Sequence, residues 1–157
     1  YKMEVKMKIP SKRANAMPRG IRNCNPLNIR KSGDNWVGQS GHDGSFVKFI
    51  DIKHGLRAAF RLLYTYGYRY NLRTIKDIIC RWAPPFENNT IAYLQRVCNY
   101  AGFEADDCIH VECHDFKEKA CKLVAAMSFV ENGGDYLSLS IIREAYDMAF
   151  PQKPKLS

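Results

Sequence analysis

Glu131 is the residue whose position most suggests chemistry. It closes an apolar stretch running from Leu123 to Val130 and directly precedes Asn132-Gly133-Gly134. A carboxyl group between an apolar helix and a glycine turn is partly desolvated, which disfavours its charged form. General-acid cleavage of a glycosidic bond asks for such a group, protonated near neutral pH and able to reach the leaving oxygen. The adjacent glycines let a sugar chain approach the backbone closely. Read plainly, the same residue is a helix-terminal surface glutamate, since perturbed carboxylates are the minority case. Glu87 is the second carboxylate of interest. It lies near a helix start, where the macrodipole keeps it ionised, so it suits a base or electrostatic partner better than an acid. Asp43 and Asp51 flank a β segment and are further partners for a two-carboxylate mechanism, whose stereochemistry depends on the carboxyl separation.

Two segments could bind a substrate. The first is Arg19-Gly20-Ile21-Arg22-Asn23-Cys24-Asn25-Pro26-Leu27-Asn28-Ile29, followed by Trp36-Val37-Gly38. Asn23, Asn25 and Asn28 offer amide donors and acceptors suited to sugar hydroxyls or N-acetyl groups. Trp36 offers a flat apolar face for a sugar ring. In the alternative reading the asparagines hold a tight loop and Trp36 is core. The second segment, Arg81-Trp82-Ala83-Pro84-Pro85-Phe86-Glu87-Asn88-Asn89-Thr90-Ile91-Ala92-Tyr93, is an aromatic-rich loop stiffened by proline. Trp82 and Tyr93 are its binding candidates. Four histidines form no HExxH spacing, and no GxSxG, Walker loop or dinucleotide fingerprint is present. Cys108-x-His110-x-x-Cys113-His114 matches no standard zinc spacing. No metal and no cofactor are expected.

Helices and one small sheet must position these groups. Alternation in Gly44–Ile50 predicts a hairpin strand. Helical spacing runs from Ile52 to about Tyr68, and Thr74 reads as the cap of a short helix ending near Arg81. Asn89 or Thr90 caps the next helix, which Gly102 ends. Phe116–Val130 is a further helix stopped by Asn132-Gly133-Gly134, and a last one runs from about Ser138 to Phe150. The pattern predicts a mainly α, α+β fold with a small β element. It divides the chain into a basic, poorly ordered leader over 1–18, one domain over 19–150 and a polar tail over 151–157.

The chain has 157 residues, 46% of them apolar, which is enough for one domain with a real core. No apolar run approaches the roughly 18–20 residues that span a bilayer, so no membrane span is expected. Residues 1–31 carry nine basic residues and one acid, which accounts for the whole net charge of +8. This arm could contact an anionic surface of any kind. The rest of the chain is neutral overall, so nucleic acid is not an expected partner. Six cysteines permit three disulfides in an oxidising compartment, yet those inside apolar patterns read equally as core.

Taken together, Arg19-Gly20-Ile21-Arg22-Asn23-x-Asn25-Pro26-Leu27-Asn28-Ile29, Trp36-x-Gly38 and Arg81-Trp82-Ala83-Pro84-Pro85-x-Glu87-Asn88-x-Thr90-x-x-Tyr93 resemble phage and prophage lytic proteins often labelled virion structural proteins. These are similar to lysozyme-like muramidases and lytic transglycosylases. The resemblance covers roughly residues 18–136. It implies a lysozyme-like domain that cuts peptidoglycan glycan strands between N-acetylmuramic acid and N-acetylglucosamine, with Glu131 as the acid. In many such enzymes the catalytic Glu precedes the Asn-containing segment and Trp-x-Gly. Here the order is reversed, which implies a circularly permuted arrangement. The resemblance also implies a protein that is secreted, periplasmic or virion-associated, and cytoplasmic before release. Two alternatives stand beside it: an endopeptidase for the peptide cross-link, and a virion or secretion component that binds peptidoglycan without cutting it.

Overall fold

The computed structural model describes residues 17–85 and 89–152. The leader up to residue 16, Glu87 and the end of the polar tail lie outside the described residues. The fold is mainly α-helical with a small two-stranded antiparallel sheet. In chain order the elements are α1 (Arg19–Arg22), β1 (Gln39–His42), β2 (Val47–Phe49), α2 (Ile52–Tyr70), α3 (Ile75–Trp82), α4 (Thr90–Ala101), α5 (Phe116–Asn132) and α6 (Leu139–Ala149).

Capping explains where most helices begin. The side chains of Asp51, Thr74, Asn89 and Ser138 each accept a hydrogen bond from the backbone N–H three residues on, which satisfies a donor the helix leaves free. Asn89, rather than Thr90, caps α4. Thr90 lies inside the helix, where its buried hydroxyl donates to the Ala83 carbonyl. That bond ties the start of α4 to the end of α3. Helices α2, α4 and α5 end on left-handed residues, Asn71, Gly102 and Gly133. The Asn132-Gly133-Gly134 stop therefore works as its sequence suggests, although α5 extends through Asn132 and holds Glu131 inside its last turn.

Helix α5 is the centre of the molecule. Cys121, Leu123, Val124, Ala126 and Met127 are fully buried, and Ala120 and Ser128 nearly so. Buried positions on several faces mean that neighbours enclose it: α4 on one side and α6 on another, with α1 and α2 also touching it. Helix α2 packs along α6, and an aromatic cluster of Phe60, Tyr146, Phe116 and Phe150 fills that seam.

Strands β1 and β2 pair through Gln39–Phe49, Gly41–Lys48 and His42–Val47, with an irregularity between Gln39 and Gly41. Val47 and Phe49 point into the core while Lys48 points out, as alternation predicts. Residues 19–22, to which no element is assigned from the sequence, form the single helical turn α1.

Candidate active site

The site is built where the loop after α1 meets the last turn of α5. Asn25 organises that loop. It is fully buried, its Oδ1 accepts from the Ile29 N–H, and its Nδ2 donates to the carbonyls of Ile29 and Val47. Asn23 is also buried and donates to Asp43 Oδ2 at 3.0 Å. Both asparagines therefore take the loop-holding role. The amide Nδ2 groups of both are engaged inside the fold, on Asp43 for Asn23 and on the Ile29 and Val47 carbonyls for Asn25.

Asn28 behaves differently. Its backbone is left-handed, at φ 53°, and its Nδ2 donates to Glu131 Oε1 at 2.9 Å. Asparagine tolerates this conformation better than most residues with a Cβ. Two more donors reach the other carboxyl oxygen: Tyr93 Oη at 2.8 Å and Trp82 Nε1 at 3.3 Å. Burial, followed by the charge of Glu131 beside it, pushes the Tyr93 phenol well above its ordinary value, so its hydroxyl keeps its proton. Three residues from three separate segments thus converge on one half-buried carboxyl group.

Asn132 binds the two halves of the site together. Its Nδ2 donates to the Pro26 carbonyl and to the Ser128 carbonyl, each at 2.9 Å. Gly20 fits against this junction. A Cβ there would stand 2.6 Å from Asn132 Oδ1, 2.9 Å from the Asn25 carbonyl and 3.1 Å from Asn28 Oδ1. Only a residue without a side chain lets α1 approach so closely.

Glu131, Asn28, Trp36 and Trp82 line an open cleft of about 470 Å³, with Tyr66 and Arg81 on the same wall. The buried indole Nε1 of Trp36 has no hydrogen-bond partner among the described residues. Trp36 also packs against the core. Tyr93 is nearly buried and acts on the carboxyl group rather than forming the wall.

The proposed partner carboxylates are used elsewhere. Asp43 accepts from the Phe46 and Ser45 amides and from Asn23, with Arg19 alongside. These contacts, the Phe46 amide first, hold its carboxyl well below the usual range. Asp51 caps α2 and binds His54 Nδ1 at 2.8 Å, which lowers its pKa. Glu87 lies outside the described residues. The sequence reading missed Asp34, an exposed residue that lines the cleft. Its only local signal was the turn-forming Ser32-Gly33-Asp34, which gives no direction.

No family model matches the chain. It is 34% identical to Protein P5 of Pseudoalteromonas phage PM2 over 141 residues, covering 87% of this chain and 84% of that protein. The chain belongs to the family of this phage protein. In this P5 family member no group of three or more His, Cys, Asp and Glu side chains is placed to hold a metal among the described residues. The buried His110 instead accepts from the Glu112 amide through Nδ1, and Cys108 and Cys113 are free thiols with their sulfurs 3.9 Å apart. No described helix is long and apolar enough to cross a membrane.

Proposed function

We propose that this phage-family protein cleaves the glycan strand of peptidoglycan between N-acetylmuramic acid and N-acetylglucosamine, with Glu131 as the general acid. The observation that carries this reading is one carboxyl group, held by Asn28, Trp82 and Tyr93, on the wall of an open cleft. Asn28 Nδ2 and Trp82 Nε1 can only donate, whereas the Tyr93 hydroxyl can donate or accept. A proton on Oε2 therefore has a partner in Tyr93 that can reverse its role when the carboxyl group gains or loses charge. Trp36 supplies an apolar face on the same cleft.

In the reaction, the protonated Glu131 gives its proton to the glycosidic oxygen as the bond to the muramyl C1 breaks, and the bonding electrons stay with that oxygen. The C1 centre is then taken by water or by the 6-hydroxyl of the same muramyl residue. In the first case the water's proton passes to a carboxylate of the cleft and a reducing muramyl end and a free 4-hydroxyl result; in the second the hydroxyl proton returns to Glu131, and the products are a 1,6-anhydromuramyl end and a free 4-hydroxyl. The lysozyme-like fold and permuted order belong to this proposal. The meeting of Asn28 with Glu131, 103 positions later, supports that order.

The test is incubation of purified sacculi with wild type and Glu131→Gln, followed by mass analysis of soluble products. Wild type should release muropeptides and the variant none. Anhydro ends identify the transglycosylase route and reducing ends the hydrolytic one. Peptides freed from intact glycan would move the activity to the cross-link. Wall binding without any product would replace the enzyme reading with a binding module.

A further inference from the structure

The cationic side of the cleft goes beyond general-acid chemistry. Arg81, the residue before Trp82, lines the same cleft as Glu131. Its guanidinium lies 3.9 Å from the ring centroid of Tyr70 and 5.2 Å from that of Tyr66. Tyr66 in turn packs edge-on against Trp82, with centroids 6.3 Å apart. A continuous wall therefore runs from Glu131 through Trp82, Tyr66 and Arg81 to Tyr70. Several other cations of the described surface are ion-paired: Arg19 with Asp43, Lys53 with Glu144, Lys117 with Asp147 and Arg143 with Glu118. Arg81 pairs with no carboxylate among the described residues, and Asp34, although on the same cleft, makes no ion pair with it.

Two aromatic faces fix the plane of this guanidinium in advance. Ordering the side chain then costs less when a ligand arrives, and its donor fork matches a carboxylate in two parallel hydrogen bonds. We propose that Arg81, propped by Tyr66 and Tyr70, is a binding subsite for a carboxylate borne by the muramyl residue of the strand. This rests on the glycan-cleaving reading. The alternating N-acetylhexosamine backbone is neutral, so an acid at this subsite distinguishes a muramyl strand from a plain N-acetylglucosamine polymer. The carboxylate has two sources with the same chemistry, the lactyl group itself and the stem peptide attached to it.

The experiment uses the full chain carrying Glu131→Gln, so that strands stay intact while binding is measured. Three ligands of equal length are compared by calorimetry: peptide-bearing strands, strands stripped of peptide to expose the lactyl carboxylate, and neutral chitin oligosaccharide. At least one acidic strand should bind about tenfold tighter than chitin, as a bidentate charge-assisted pair predicts. Adding Arg81→Gln should abolish that excess and leave chitin binding unchanged. Excess affinity retained on the stripped strand assigns the lactyl carboxylate, and excess confined to the peptide-bearing strand assigns the stem. Equal weakening of all three ligands would make Arg81 a structural prop and overturn the subsite, as would no weakening at all. Should Arg81→Gln fail to fold, the salt dependence of the Glu131→Gln protein decides. The excess should shrink as ionic strength rises from about 50 to 300 mM, and a salt-insensitive excess refutes the subsite. If wild type digests sacculi while the Arg81 variant binds like its parent, only the subsite falls. If wild type neither digests sacculi nor binds any strand, the glycan-cleaving reading falls with it.

Discussion

Replacing Glu131 in two ways separates its chemistry from its structural role. The carboxyl group accepts from Asn28 on Oε1 and from Tyr93 and Trp82 on Oε2. In Glu131→Gln the new amide can keep its oxygen toward Tyr93 and Trp82 and turn its NH2 toward Asn28. Asn28 can answer by rotating its own amide, because its buried Oδ1 has no partner among the described residues. The contacts of residue 131 with Asn28, Tyr93 and Trp82 are then kept. A neutral amide hydrogen bond contributes about 0.5–1.5 kcal/mol, and with the contacts kept in number net stability should move by less than about 1 kcal/mol. Glu131→Ala has no such escape. It strands the Tyr93 hydroxyl, the Trp82 indole and the Asn28 amide around a small void. Water entering from the open cleft relieves part of the penalty, and a loss of about 2–4 kcal/mol follows. Urea unfolding of both variants beside wild type measures the folding cost, and turbidity loss of sacculi measures the chemistry. Gln should fold like wild type and lyse at least about 10²-fold more slowly, the scale of a lost general acid. An inactive Gln variant as unstable as Ala would show that the carboxylate holds the fold together. A stable and fully active one would remove Glu131 from the reaction.

The remaining predictions probe what surrounds that carboxyl group. Gly20→Ala, whose Cβ would meet two side-chain oxygens and a backbone carbonyl within 3.1 Å, should cost about 1–3 kcal/mol and impair lysis by displacing Asn28 and Asn132. Gly133→Ala meets nothing within 4 Å but keeps a φ of 71°, so denaturation should show a loss of about 1 kcal/mol with lysis unchanged. Asp43 has a depressed pKa, so it stabilises the protein fully above its unfolded value of about 3.9, and that contribution fades as pH falls through the lower folded value. Asp43→Asn should accordingly be less stable than wild type at neutral pH, and the gap in melting temperature should close on strong acidification. Asp34→Asn should leave stability unchanged, because among the described residues the exposed side chain bonds only Ser32. In a hydrolytic route it should also slow product release from sacculi, whereas anhydro products should form at the wild-type rate.

The fold was readable from local rules because local rules govern it. Asp51, Thr74, Asn89 and Ser138 cap helices by bonds that span three residues, and Gly133 stops α5 by its own backbone conformation. The hairpin shows the same economy, since Val47 and Phe49 alternate into the core around Lys48. Residues 19–22 escaped this reading. Four residues make one turn, too short for periodicity to register, and Pro18 offers no capping side chain.

The site was legible in part, and the boundary has a physical cause. Glu131 stood out because a helix end, an apolar run and a glycine stop coincide within a few residues. Trp82, Tyr93 and Asn28 could be nominated by type, but their meeting on one carboxyl group joins positions 38, 49 and 103 residues apart. No local pattern encodes such a meeting. The three loop asparagines make the point sharply. Asn23, Asn25 and Asn28 share a chemistry and lie within six residues. Asn25 turns inward to bind the backbone of Ile29 and Val47, and Asn23 turns to the hairpin through Asp43. Asn28 alone, thrown outward by its left-handed backbone, reaches the carboxyl group. If backbone direction decides which asparagine serves the site, Asn28→Gly should keep the loop path yet lose the hydrogen bond. Asn28→Ala should add about 1 kcal/mol of strain to the same loss. The two variants should then lyse sacculi equally slowly while differing in stability. Equal stability would mean that the conformation at Asn28 carries no strain, and the explanation for its singular role would fail.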